Sequence, residues 1–195
     1  MIDLAWLQRA PTRGDATWTR LAEAGATGDL LLHGSQTPGL TELKPRGPVD
    51  HSVDSFSKQT AVFATEDPTW AIAYGIRSAS CRRFLNACFY PDSSAGDWSQ
   101  RRIFLSYAAT QDGRAPTASG VVYALPSAAF TRMPSYHDPV FGSITECQWI
   151  STESVPVVAE LSVAPENLPT DPSLHDFDAV TERATEDPHG FPWLT

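Results

Sequence analysis

The apolar run Leu30-Leu31-Leu32 stops at His33-Gly34-Ser35, and twenty-six positions after Ser35 a second run, Ala61-Val62-Phe63-Ala64, leads through Thr65 and Glu66 toward Tyr74. Short apolar runs bounded by turn residues read as buried strands, and the Asp67-Pro68 pair after the second run reads as a helix start. A strand ending in His-Gly offers a ligand an imidazole and an unobstructed backbone, because glycine has no Cβ to block approach. Phe63 and Tyr74 stand eleven positions apart across a strand-to-helix corner, a placement from which two rings could clamp a flat third one.

The rest of the chain bounds what such a corner can belong to. A length of 195 residues fits one domain, and an apolar fraction of 42% is enough for a sizeable core. Sixteen prolines point to a loop-rich architecture. The net charge of −9, from fourteen basic and twenty-three acidic residues, supplies no general field for nucleic acid; Arg77, Arg82, Arg83, Arg101 and Arg102 are a local exception, expected as a solvated face. The N-terminal segment Met1-Ile2-Asp3-Leu4-Ala5-Trp6-Leu7 has too short an apolar core for a signal peptide. No stretch reaches the roughly 20 apolar residues of a membrane span, so a soluble cytoplasmic protein without a membrane partner is expected. Cys81, Cys88 and Cys147 are odd in number and lack zinc spacing; buried free thiols are the expectation, with no metal site.

Along the chain, residues 17–24 read as an amphipathic helix stopped by Gly25, and 67–77 as a second helix with Trp70, Ala73, Tyr74 and Arg77 on one face. Strands are expected at 103–107, 120–125, 147–150 and 156–163, with mostly antiparallel pairing. Loops are expected at 90–97 and 110–119. The fold class is α+β, a single domain over residues 1–168 followed by a peripheral acidic C-terminal tail, 169–195, with a short helix at 177–183.

The two blocks together resemble the ADP-ribosyltransferase superfamily, in its diphtheria-toxin and poly(ADP-ribose) polymerase branch. There the first strand ends in His-Gly-Thr or His-Gly-Ser, and a second block reads aromatic, small, Ser or Thr, acidic, then a helix with another aromatic; here the residues are His33-Gly34-Ser35, then Phe63-Ala64-Thr65-Glu66 and Tyr74. The resemblance covers residues 30–168. It implies a split antiparallel β-core with short flanking helices and NAD as the substrate, in a cleft between two small sheets. The absence of a G-x-G-x-x-G or Walker motif agrees with it. His33 would bond the adenosine ribose with Ser35 in support, Gly34 would pair with the nicotinamide amide, Thr65 would belong to the same wall, and Phe63 and Tyr74 would sandwich the ring.

The family's catalytic glutamate stands just before an aromatic at the start of a late strand. In Thr145-Glu146-Cys147-Gln148-Trp149 that position is Gln148, which can hold a ribose hydroxyl but carries no charge. Glu146, two residues earlier and expected on the same strand face, is the provisional catalytic acid; Glu153 and Glu160 are weaker candidates. The expected activity is cleavage of the nicotinamide glycosidic bond with transfer of ADP-ribose to an unidentified protein or small-molecule acceptor. Alternatives are a non-catalytic binding module of the same fold, an NAD-dependent RNA 2′-phosphotransferase, for which the chain is too acidic, and a hydrolase using His137-Asp138, which read more simply as a turn. His51, His175 and His189 have no partners at metal spacing.

Overall fold

The computed structural model describes residues 8–9, 11, 13–47, 54–91, 97–138 and 141–194. The N-terminal segment 1–7, His51 and most of the loop expected at 90–97 lie outside the described residues. Each of three helices begins at an aspartate whose carboxylate accepts a free N–H of the first turn. Asp15 accepts from Trp18 at 2.8 Å to start α1 (Ala16–Ala26), Asp67 from Trp70 at 2.9 Å to start α2 (Pro68–Gly75), and Asp176 from Ala179 at 2.8 Å to start α3 (Phe177–Glu186).

The strands in chain order are β1 (Gln8–Arg9), β2 (Leu30–Ser35), β3 (Glu42–Leu43), β4 (Val62–Ala64), β5 (Phe84–Pro91), β6 (Arg102–Ala108), β7 (Gly120–Pro126), β8 (Thr131–Arg132), β9 (Tyr136–Asp138), β10 (Gly142–Glu146), β11 (Trp149–Ser151), β12 (Val155–Pro156), β13 (Ala159–Val163) and β14 (Ser173–His175). They form a sheet in the order β1-β6-β5-β10-β9 and two three-stranded pieces, β13-β7-β2 and β4-β11-β8, besides the small β12-β3 pair. A single bridge between Leu32 and Thr65 joins the two three-stranded pieces. All pairings between the strands are antiparallel except β14 on β6, so the molecule is α+β with a mostly antiparallel core.

The helix α2 is apolar almost all round, and such a helix must be covered on every side. On one side Ala71 and Ile72 pack with Trp18 and Leu21 of α1 and with Leu32, Val122 and Val163; on the other, Trp70 and Ala73 pack on Cys88, Tyr90, Ile103 and Leu105 of the β5–β6 sheet. The Trp18 indole N–H donates to Thr69 at 2.9 Å and ties the two helices. At the β4–α2 corner Asp67 also forms a fully buried ion pair with Arg101, whose Nη2 donates to the Pro11 carbonyl at 3.0 Å. Arg101 is therefore no part of a solvated basic face. Arg83 is buried too, while Arg77 and Arg82 are exposed, so the expected basic cluster is dispersed.

Four expectations are corrected by tertiary contacts. The strand expected over 147–150 is broken: β10 ends at Glu146 in one sheet and β11 begins at Trp149 in another, with the Cys147 N–H donating to the Cys88 carbonyl and the Met133 N–H to the Gln148 carbonyl at the crossover. Gly25 does not stop α1; it is buried inside it, where a Cβ would lie 2.7 Å from the Glu66 carbonyl, and the left-handed residue is Gly28 at φ +75°. Residues after Leu168 do not hang at the periphery, because β14 pairs with β6, and Val180 of α3 and Trp193 beyond it are buried with Leu85 and Phe104. The eight-residue strand β5 runs through Tyr90, where a loop was expected to begin.

No described helix is long and apolar enough to cross a membrane. Replacing Arg101 by methionine should destabilise the chain by about 3–5 kcal/mol, since Asp67 would be left charged and buried without its partner. Denaturant unfolding of Arg101→Met beside the double variant Asp67→Asn/Arg101→Met checks this, and the double variant should lose less.

Candidate functional site

Where β2 meets β4, the ladder is one rung long. Leu32 and Thr65 exchange both backbone bonds, at 2.8 and 2.9 Å. Alternate residues of a strand turn their amides to the same edge, so Gly34 and Phe63 would make the next rung. They do not: the Phe63 carbonyl receives His33 Nδ1 at 2.7 Å instead. The imidazole acts as a wedge, and the Gly34 amide edge faces the resulting notch with no partner among the described residues.

That bond sets the chemistry of the ring. A carbonyl only accepts, so Nδ1 carries the proton and Nε2 presents a lone pair. Burial holds the His33 pKa below the usual histidine value, and the Arg46 cation acts in the same direction, although the Phe63 carbonyl favours the charged ring. The strand therefore ends in a neutral imidazole suited to accept from a hydroxyl.

Gly34 is required by packing as well as by the open edge. Its missing Cβ would run into the Ala71 carbonyl and the Gly75 amide, and would come 2.9 Å from the Tyr74 carbonyl carbon, so α2 lies directly on this glycine. Adjacent side chains leave a strand on opposite faces; His33 thus points away from the face that α2 covers. Tyr74 turns toward the other sheet, where its hydroxyl donates to Asn86 at 3.1 Å and its ring meets Phe84 edge-on at 5.1 Å. The imidazole and the phenol consequently do not face one another across one pocket; they share Gly34 between them. Phe63 is half-buried and its ring makes no aromatic contact among the described residues.

Neighbouring polar residues are partly engaged by the fold. The Ser35 hydroxyl accepts from the Thr37 N–H at 3.1 Å, and buried Thr65 accepts the Asp67 N–H at 3.0 Å. Gln148 donates to Ser57 at 2.9 Å, while Glu146, on the other sheet, accepts the Tyr136 hydroxyl at 2.6 Å. The Ser57 N–H in turn donates to Asp54 at 2.7 Å, so the residue that Gln148 holds belongs to the 54–57 turn. Glu146 and Gln148 are thus neighbours around a turn and not companions on one strand face. Glu160 is exposed and accepts the Gly39 N–H, Glu153 is exposed, and Asp138 accepts the Phe141 N–H as the turn reading expects.

One acid escaped the sequence reading as a charge site. Glu66 bonds Arg132 at 2.5 Å and the Trp149 indole N–H at 2.6 Å; burial raises its pKa, and Arg132 opposes that. The guanidinium lies 5.7 Å from the Tyr90 ring and 5.3 Å from the Trp149 ring, so this cluster clamps the two sheets at the crossover. A signal for it existed in the block after Phe63, but its partner Arg132 is sixty-six residues away. No group of three or more His, Cys, Asp or Glu suited to a metal occurs among the described residues. The two best-formed cavities lie along α3 and not at the notch.

No protein family, no curated protein and no solved structure matches the chain. What the notch can do is therefore argued from its own atoms.

Gly34→Ala should cost at least about 1–3 kcal/mol through displacement of α2, readable as a lowered urea midpoint with the slope unchanged. His33 and His175 make a second prediction. Their folded-state pKa values lie below the unfolded value, His175 at about 4, so the unfolded chain binds more protons between the two; their contribution is whole above pH 6.5 and is lost as pH falls. Urea midpoints should decline from pH 7 to pH 5. Glu66 titrates with the opposite sign, so the shallower decline expected in His33→Asn isolates the ring. A midpoint as steep in pH for that variant as for the wild type would refute the assignment.

Proposed function

We propose that the chain is an ADP-ribosyltransferase-like domain with a split β-core whose β2–β4 notch takes the nicotinamide end of NAD. The observation that carries this reading is the interrupted ladder. A carboxamide presents a C=O acceptor and an N–H donor in one plane, as a peptide does, and the Gly34 edge, without a partner among the described residues, offers the complementary N–H and C=O. The lone pair of His33 Nε2 is suited to a ribose hydroxyl, and the uncommitted Phe63 ring is suited to contact with the pyridinium. Such a ring contact contributes about 0.5–1.5 kcal/mol beyond area, enough to orient the ligand. Binding would rest on edge pairing and ring contact more than on enclosure, with Tyr74 supporting the notch through α2.

Breaking the nicotinamide glycosidic bond develops positive charge on the ribose, which a nearby carboxylate stabilises. Glu146 is proposed for that role, with Gln148, held by Ser57, positioning the ribose. Glu66 is committed to Arg132 and Trp149. The neutral Gln148 and the hydrogen-bonded Glu146 favour, as the second reading, a module that binds NAD or an ADP-ribose-like ligand without turnover. An RNA 2′-phosphotransferase is disfavoured because the chain is acidic overall and Arg101 is spent on its buried pair with Asp67.

Released nicotinamide, measured by chromatography after incubation with NAD, tests the reading. The enzyme should release it, Glu146→Ala should lower the rate by about a hundredfold or more, and Gln148→Ala by less. Tyr74→Phe, which keeps the ring but loses the Asn86 bond, should retain most binding. Saturable NAD binding with no release from any form establishes the module instead, and no binding at all refutes both.

A further inference from the structure

On the face of the β5–β6 sheet turned away from α2, the helix α3 lies over Leu85 and Phe104. Arg83, just before β5, rises beside it and is 8% exposed. Its Nε and Nη1 have no hydrogen-bond partner, and no ion pair reaches it among the described residues. The Phe177 ring, 5.5 Å from the guanidinium carbon, offers only its face. Arg101 differs: it is fully buried and held by a carboxylate. Burial pulls the Arg83 pKa down. One other buried side-chain nitrogen lacks a partner among the described residues, His175 Nε2, and it stands on this same face, close enough for Arg83 to lower its pKa.

Beside Arg83 opens a cavity of about 190 Å³ lined by Thr181, Ala184, Thr185, Pro188 and Trp193. Since a water molecule takes about 30 Å³ in the liquid, a tetrahedral oxyanion fits with room for solvent. The hydroxyl protons of Thr181 and Thr185 are given to the carbonyls of Phe177 and Thr181, and the Trp193 indole N–H to the Asp187 carbonyl. Of the side chains on this lining, the Arg83 guanidinium is therefore the one whose donors are not given to the protein among the described residues. Neighbouring Arg82 is satisfied separately, 3.7 Å from Asp178 and stacked on Phe177.

We propose that this cavity is an anion site in which a small oxyanion of the phosphate type pairs with Arg83. A buried guanidinium lacking a carboxylate is costly, and a phosphate supplies both the countercharge and several acceptors. The site is behind the sheet from the Gly34 notch and does not rest on the reading of that notch.

Inorganic phosphate titrated into the full chain, followed by calorimetry and by thermal unfolding, tests this, with sodium chloride of equal ionic strength as control. Saturable binding at one site per chain is expected, with a rise in Tm of several degrees at phosphate well above its dissociation constant. Arg83→Gln should weaken binding at least tenfold, yet unfold no lower than the wild type in phosphate-free buffer because an unpaired charge has gone. Ala184→Leu, which fills the cavity and keeps the arginine, should also lose binding and decides the matter if Arg83→Gln does not fold. Absence of saturable binding, an equal effect of chloride, or undiminished binding by both variants overturns the proposal.

Discussion

Asp67 is the junction from which the described structure is organised. Its amide donates to Thr65, one carboxylate oxygen accepts the Trp70 N–H and the other pairs with Arg101, so strand β4, helix α2 and the lead into β6 meet in one buried group. A charge taken out of water is tolerated only when opposite charge and hydrogen bonds replace its hydration. The arrangement meets that condition and sets where α2 starts. The helix is consequently held between the sheets, close enough to β2 that only glycine fits at position 34.

The opening between β2 and β4 follows from that placement. After the Leu32–Thr65 rung the Phe63 carbonyl is bonded by an imidazole in place of an amide, which leaves a peptide edge exposed where a sheet would ordinarily continue. At the other end of β11 the chain changes sheets within two residues, and the Glu66–Arg132–Trp149 cluster holds that passage. Cys88 and Cys147 pack beside it as fully buried thiols, and burial pushes Cys147 up to about 11. The guanidinium environments thus differ by partner: buried Arg101 and half-buried Arg132 clamp elements together, and buried Arg83 lines a cavity.

Much of this was legible locally. The helix start at Asp67-Pro68, the strands at 103–107 and 120–125 and the antiparallel habit follow from capping, β-branched content and alternation, each a property of a few adjacent residues. The His33-Gly34 pair and Phe63 were legible as a strand end and a half-buried ring. Less visible were features whose cause lies far along the chain. Gly25 read as a stop because nothing nearby announces the Glu66 carbonyl against it; Arg101 read as surface because Asp67 is thirty-four residues away. Glu146 and Gln148 read as one strand face because alternation is silent about a sheet change between them, and 169–195 read as peripheral because its acidic composition hides Val180 and Trp193.

Sequence alone determined the helix that starts after Asp67, the strands at 30–35, 62–64, 102–108 and 120–126 and the residue types at their ends, since backbone preference and capping act over a few positions. Tertiary structure decided which edges remain unpaired, which charges are matched and which rings face each other. Those outcomes depend on groups brought together from distant positions, where burial removes the water that would otherwise satisfy each of them.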